Sequence, residues 1–346
     1  MLLYIDFGLI IEKFVLILIV VMTTLLIAMY TTFAERKVAA ILQDRRGPNR
    51  AGPFGILQPL ADGMKLFFKE EIIPNFSSKS LFILGPALAM LTAIMASAVI
   101  PWGDKVQLFG RDISLQIADI NIGILYVFGV VSLGVYGIMI GSWASNNKFS
   151  LLGGMRAASQ IISYELAMGI SLIALLMVTG TLSLKEMVVQ QQNSLWNIAY
   201  QPLGFLIFLI CSFAECNRTP FDLPEAENEL IGGYHTEYSS MKLGFYLFSE
   251  YINMFVSSVI MSTLFFGGYD MPFVDEANFS PNIAAIIGIV ALMAKVVFFI
   301  FLFMWVRWTI PRFRYDQLMH LGWRILIPLA LFNMLATGAF ILYFNK

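Results

Sequence analysis

Three carboxylates, Glu165, Glu215 and Glu250, stand inside long apolar stretches of the sequence. A carboxylate in lipid is costly unless paired or hydrated, so an intramembrane acid is a candidate for proton or ion transfer. The loop that follows Glu215 reads ECNRTPFDLPEAENEL and supplies Asp222, Glu225, Glu227 and Glu229, with Glu237 beyond; Arg218 is its one basic residue before Lys242. Such a run is either a solvated acidic face or a cluster whose members raise one another's proton affinity into a range useful for relaying protons. Pro224 ahead of the acids predicts a helix start, where the macrodipole favours negative charge. Lys295 falls in the middle of another apolar stretch, where it serves as a partner for a carboxylate or as part of a proton relay. Glu35, Arg36 and Lys37 are consecutive; on a helix they fan around about 200°, so at least one must turn inward while the bases snorkel to phosphate.

Other chemistries are excluded by what is missing. The two cysteines, Cys211 and Cys216, lie in an apolar segment and cannot supply the four ligands of an iron–sulfur cluster. Only His235 and His320 could ligate a haem, and both fall in polar connections. No phosphate-binding glycine loop, hydrolase nucleophile pattern or zinc-ligand spacing is present. The chain is expected to hold no cofactor or metal of its own. A net charge of −1 gives no reason to expect nucleic acid.

The elements that must position these residues are membrane helices. Of the 346 residues, 58% are hydrophobic and 13% charged, against about 25% charged in soluble domains, and the mean hydropathy is +0.76. Runs of about 20 apolar residues predict an all-α polytopic fold of about eight spans, near 10–33, 80–101, 121–143, 159–181, 199–216, 243–267, 283–307 and 323–344, in one membrane-embedded domain over 1–346. The first run is too long for a signal-peptide core and no small-residue cleavage site follows it, so it is read as a span. Residues 55–71 have an apolar face at helical spacing and charges elsewhere, which predicts an amphipathic helix too short to span.

With both termini outside, segments 34–79, 144–158, 217–242 and 307–324 share one face. Lys13, Lys105, Arg111, Lys185 and Lys346 are the basic residues left to the other, with Lys295 inside a span. The positive-inside rule makes the first face cytoplasmic in a bacterial inner membrane; in a mitochondrial inner membrane it would face the matrix. Counted from the expected helix starts, Glu165, Glu215 and Glu250 all lie within about 12 Å of that face.

Four runs carry a family resemblance: ERKVAAILQDRRGPNRAGPFGILQPLADGMKLFFKE from Glu35, GGMRAASQIISYE from Gly153, AECNRTPFDLPEAENELIGGY from Ala214 with Glu237-Tyr238 beyond, and RWTIPRFRYDQLMHLGW from Arg307. They resemble the H-type membrane subunit of respiratory complex I, the proton-pumping NADH:quinone oxidoreductase, along essentially the whole chain. The resemblance implies a heel subunit without a redox centre, which forms a quinone-access chamber and couples quinone reduction to proton translocation. Quinone would be a bound substrate. The partners would be the hydrophilic-arm quinone-site subunits, the adjacent small and antiporter-like membrane subunits, and lipid.

By the same resemblance Glu35, Arg36, Arg45, Arg46, Asp62, Lys65, Arg218 and Phe221 belong to the chamber. Glu165, Glu215, Glu225, Glu227, Glu229, Glu237, Glu250 and Lys295 belong to proton coupling. His235-Thr236 stands where the family pattern leads one to expect Asn-Val, which leaves the role of His235 open. The third span lacks a carboxylate, so a proton route must use the fourth, fifth and sixth spans or water. Two other readings fit parts of the pattern: a self-contained ion or proton antiporter, and the equivalent subunit of a membrane-bound hydrogenase.

Overall fold

The computed structural model describes residues 7–108, 111–271 and 280–344. Among them, seven helices are long and apolar enough to cross a membrane. These are α1 (Phe7–Leu42), α3 (Lys79–Met95, continued by a turn of 3-10 helix), α4 (Gly123–Ala144), α5 (Lys148–Thr179), α10 (Ser240–Phe265), α11 (Pro281–Thr309) and a final run of α12 (Tyr315–His320), a π-helical turn and α13 (Ile327–Phe344). The π turn, Leu321–Leu326, precedes Pro328, whose missing N–H cannot close a regular turn.

The expected fifth span is shorter than its apolar run. Helix α8 covers Pro202–Glu215, 14 residues or about 21 Å, against a hydrocarbon core of about 30 Å. Pro202 cannot donate into a preceding turn, and Gln201 (φ −132°, ψ 57°) breaks the helix from the single turn α7 (Asn197–Tyr200). Helix α5, by contrast, starts at Lys148 rather than near 159. Asn147 accepts a hydrogen bond from Phe149 N and caps it, and the added turns stand at the polar end of the bundle. The amphipathic helix α2 is trimmed to Gln58–Phe68. Gly52 and Gly55 take positive φ (72° and 82°), which holds residues 53–55 in a separate 3-10 turn, and Lys69 is extended. Periodicity gave no sign of the hairpin of β1 (Lys105–Leu108) and β2 (Arg111–Ser114), which Asn282 clasps through Gln107, nor of the short helix α6 (Leu184–Gln192).

The segments expected on one face do meet at one end. Ser78 N donates to Ala144 O (3.3 Å), Ser240 Oγ to Leu66 O (3.1 Å), Ser150 Oγ to Tyr234 O (2.8 Å) and Phe313 N to Pro220 O (3.1 Å). Helices α3 and α4 pack through glycines: a Cβ on Gly137 would lie 2.8 Å from Ala89 N. Tyr246 Oη bonds Gly137 O at 3.1 Å, and Tyr238 Oη reaches Phe82 O and Gly141 O at 3.1 Å each.

Gly137→Ala is expected to destabilise the folded protein by about 1–3 kcal/mol, since the backbone of α3 must retreat. Gly129→Ala, with nothing within 4 Å on the same helix, is expected to be neutral or slightly stabilising. Thermal unfolding of the two variants in detergent compares them directly.

Candidate functional site

The helical fan at the end of α1 resolves as geometry. Glu35 turns inward and is buried; it accepts from Tyr251 Oη (2.9 Å) and pairs with Arg307 and with Arg218 (3.7 Å). Arg36 points the other way onto Asp62 of α2 (2.7 Å), which Gln58 also holds (3.2 Å), and Lys37 sits over the Phe33 ring.

Arg218 is the centre of the buried cluster. Its guanidinium lies over the Tyr251 ring at 4.1 Å, 3.7 Å from Glu35 and 3.9 Å from Glu250, and is 5% exposed. Both contacts exceed hydrogen-bond length, so one cation is shared loosely between two carboxyl groups. Its loop is stapled to α5 by Gln160, fully buried, whose Nε2 donates to Ala214 O (2.8 Å) and Phe221 O (2.7 Å). On the far side of Glu250, Tyr234 Oη donates to its Oε1 at 2.8 Å. Burial holds the Tyr234 phenol well above its ordinary range, so it remains a proton donor.

The intramembrane carboxylates form a series. Glu215 and Glu250 line one cavity of about 30 Å³ with Tyr234, Asn217 and Asn253. Glu215 also lines a second, of about 10 Å³, with Asn253, Ser257 and Phe208. Since one water requires roughly 10–15 Å³ measured this way, the first has room for a pair and the second is at the threshold. Glu165 is close enough to Glu215 to interact electrostatically, and accepts a hydrogen bond from Ser132 of α4. Helix α5 begins earlier than expected; what links these acids is a cavity shared by Glu215 and Glu250 and the electrostatic proximity of Glu165 to Glu215. The third span, which lacks a carboxylate, contributes through Ser132.

The acidic loop is less free than its sequence. Asp222 pairs with Arg312 (2.7 Å), Glu229 with Arg156 (2.6 Å), and Glu237 accepts from Asn147 Nδ2 (2.5 Å). Glu225 faces His235 Nδ1 at 3.8 Å, which gives the histidine a local partner. No helix starts at Pro224. Ala226 takes φ 22°, and a single turn, α9, covers Glu227–Leu230; the Glu227 side chain lies outside the described residues. Burial, then the neighbouring Glu225, push Asp222 up to about 7 despite Arg312.

The remaining expected residues separate into three places. Arg36, Arg45, Arg46, Arg50 and Gln58 line an open groove of about 660 Å³, and Lys65 is exposed on α2 nearby. Phe221 is a core residue between Tyr164 (5.3 Å) and Phe313 (5.5 Å). Lys295 donates to the carbonyls of Phe266 (2.7 Å), Gly268 (2.8 Å) and Asp270 (2.5 Å) beyond the end of α10, about 24 Å along that helix from Glu250. Among the described residues no group of acids, histidines and cysteines could hold a metal ion.

The family model for NADH dehydrogenase matches residues 14–338. The chain belongs to that family. Within it, the chain is 68% identical to the H-type subunit of the NADH-quinone oxidoreductase of Flavobacterium johnsoniae, with 96% of each chain covered. It is 66% identical to the H-type subunit of the Cytophaga hutchinsonii enzyme (96% and 97% covered) and 49% identical to that of the Geobacter metallireducens enzyme (96% of each). These relatives place it as the H-type subunit of complex I, and its apolar helices place it in a membrane. Tyr234, Tyr251, Ser132, Gln160 and Asn253 were not singled out from the sequence. Buried hydroxyls and amides in an apolar run are the only local sign of them, and such residues as often back-bond within their own helix, as Thr24 and Thr31 do.

Arg218→Met would leave Glu35 and Glu250 buried with fewer counter-charges and is expected to cost about 3–5 kcal/mol, read as a lowered unfolding temperature; Arg218→Lys should recover only part, because an ammonium is smaller than the shared guanidinium. Asp222 supplies a pH dependence. Its folded pKa is raised, so its contribution to stability is full below the ordinary carboxylate range and is lost as pH rises through about 7. Asp222→Asn should flatten the fall in thermal stability between mildly acidic and mildly alkaline buffer; an unchanged slope would remove Asp222 as its source.

Proposed function

We propose that this chain is the membrane subunit of an NADH-quinone oxidoreductase that receives quinone at the polar end of the bundle and converts its reduction into proton movement along the carboxylate series. The polar end faces the cytoplasm of a bacterium, on the strength of its basic residues. Electrons come from a redox group on a neighbouring hydrophilic subunit, and the lateral neighbours are further membrane subunits of the same complex. Quinone arrives from the bilayer past α2 and the arginine-lined groove. The chain itself binds, orients and relays.

The observation that carries this reading is Arg218, shared at 3.7 and 3.9 Å between Glu35 and Glu250. A unit of charge appearing about 10 Å from such a group, at an effective dielectric of about 20, changes its energy by about 1.7 kcal/mol, more than tenfold in a proton equilibrium. Reduction of a nearby quinone therefore suffices to redistribute protons among Glu225, Glu250, Glu215 and Glu165 without a large conformational change. An antiporter acting alone finds less support, because Lys295, the basic residue midway along a span among the described residues, is engaged by backbone carbonyls far from the acids.

Glu215→Gln and Glu165→Gln are expected to leave the complex assembled and to depress NADH-driven proton pumping in proteoliposomes severely. Full reductase and pumping rates in both would rule this route out. A photoreactive quinone should label residues 36–70; labelling confined to α11 and α13 would move the chamber elsewhere.

A further inference from the structure

The carboxylate series reaches deep into the bundle, and what lies beneath it is a wall of aromatic rings. The smaller cavity on Glu215 is floored by Phe208. From Phe208 the rings run on in unbroken contact: Phe208 to Phe265 (5.6 Å), Phe265 to Phe205 (5.3 Å), Phe205 to Phe266 (5.3 Å) and Phe266 to Phe299 (5.3 Å). Phe208, Phe265 and Phe299 are 2%, 0% and 1% exposed. They come from α8, α10 and α11, so the layer crosses the bundle rather than following one helix.

Directly behind it sits a fixed cation. Trp196 touches Phe266 (6.0 Å) on one side and Lys295 Nζ (4.6 Å) on the other, and donates to Asp270 (2.8 Å). Lys295 donates to three carbonyls at 2.5 to 2.8 Å. Three bonds need three N–H groups, which only the ammonium form has. Gln191 and Asn197 complete the clamp: Gln191 accepts from Asn197 N (3.1 Å) and Gly267 N (3.0 Å), and Asn197 donates to Leu264 O (2.8 Å).

We infer that the ring layer of Phe205, Phe208, Phe265, Phe266 and Phe299, backed by the Lys295 ammonium, is a proton barrier that insulates the carboxylate series from the far face of the membrane. The rings exclude the water that a proton wire needs, and the contacts of Lys295, Trp196, Gln191 and Asn197 hold the layer in place behind Phe266. Lys295 is a clamp of the layer, held by three carbonyls.

The inference rests on the reading that the series carries protons, and the test separates the two. The intact complex containing each variant is reconstituted in liposomes with trapped pH dye. Passive proton entry is driven by a potassium diffusion potential with no NADH present, while NADH-quinone reductase activity on the same preparation reports assembly. Phe208→Ser and Phe265→Ser are expected to raise the passive leak several-fold, and Lys295→Met to raise it to a smaller extent. Phe298→Ser, which removes a ring of equal size from a 59% exposed position beside Phe299, should leak like the unaltered complex.

If Phe208→Ser or Phe265→Ser fails to assemble, the half-buried Phe266→Ser and Lys295→Met decide the question by the same readout. Assembled variants with no added leak would overturn the barrier, whatever Glu215→Gln does to pumping. Leaky ring variants beside a normally pumping Glu215→Gln would keep the barrier and discard the route.

Discussion

A buried guanidinium with too many carboxylates around it is the constraint on which the polar end of this molecule depends. Arg218 is nearly inaccessible and faces Glu35 and Glu250, neither at hydrogen-bond distance. In a low-dielectric interior such an arrangement holds only if further groups share the charge. Arg307 and Tyr251 do so for Glu35, Tyr234 does so for Glu250, and Gln160 fixes the loop that carries the arginine. Five separate parts of the chain, the end of α1, α5, the acidic loop, α10 and the end of α11, are therefore bound to one another by electrostatics rather than by apolar burial alone.

The same cluster explains why the polar end can be both rigid and responsive. Around it, described loop acids are taken up by partners far off in sequence, as in Asp222 with Arg312 and Glu229 with Arg156 of α5. What remains adjustable is the balance at Arg218 and the small cavities between Glu250 and Glu215. A change of charge near that end would be felt through side chains held in fixed positions. At the other end the design is opposite. There, rings and backbone carbonyls surround Lys295.

Much of the architecture is legible from composition and spacing. The apolar runs locate the spans, and their alternation groups the four connecting segments that meet at one end. The misreadings have local physical causes. Hydropathy cannot see Pro202 break a helix away from Gln201, cannot see Asn147 cap α5 eleven residues ahead of the apolar run, and cannot see Ala226 interrupt the acids after Pro224. The acidic loop looked uncompensated because its counter-charges lie far off in sequence.

By itself the sequence determined that acids sit among apolar residues and that basic residues crowd into alternate connections, because these follow from residue type and the period of a helix. Only the tertiary structure decided which acid meets which base. Glu35 and Arg218, or Glu165 and Ser132, are brought together by the packing of separate helices, and the energy of a buried charge depends on partners that no local pattern specifies. The same holds for Lys295: one sequence position is compatible with a relay or an ion pair, and the fold gives it three carbonyls and a tryptophan ring.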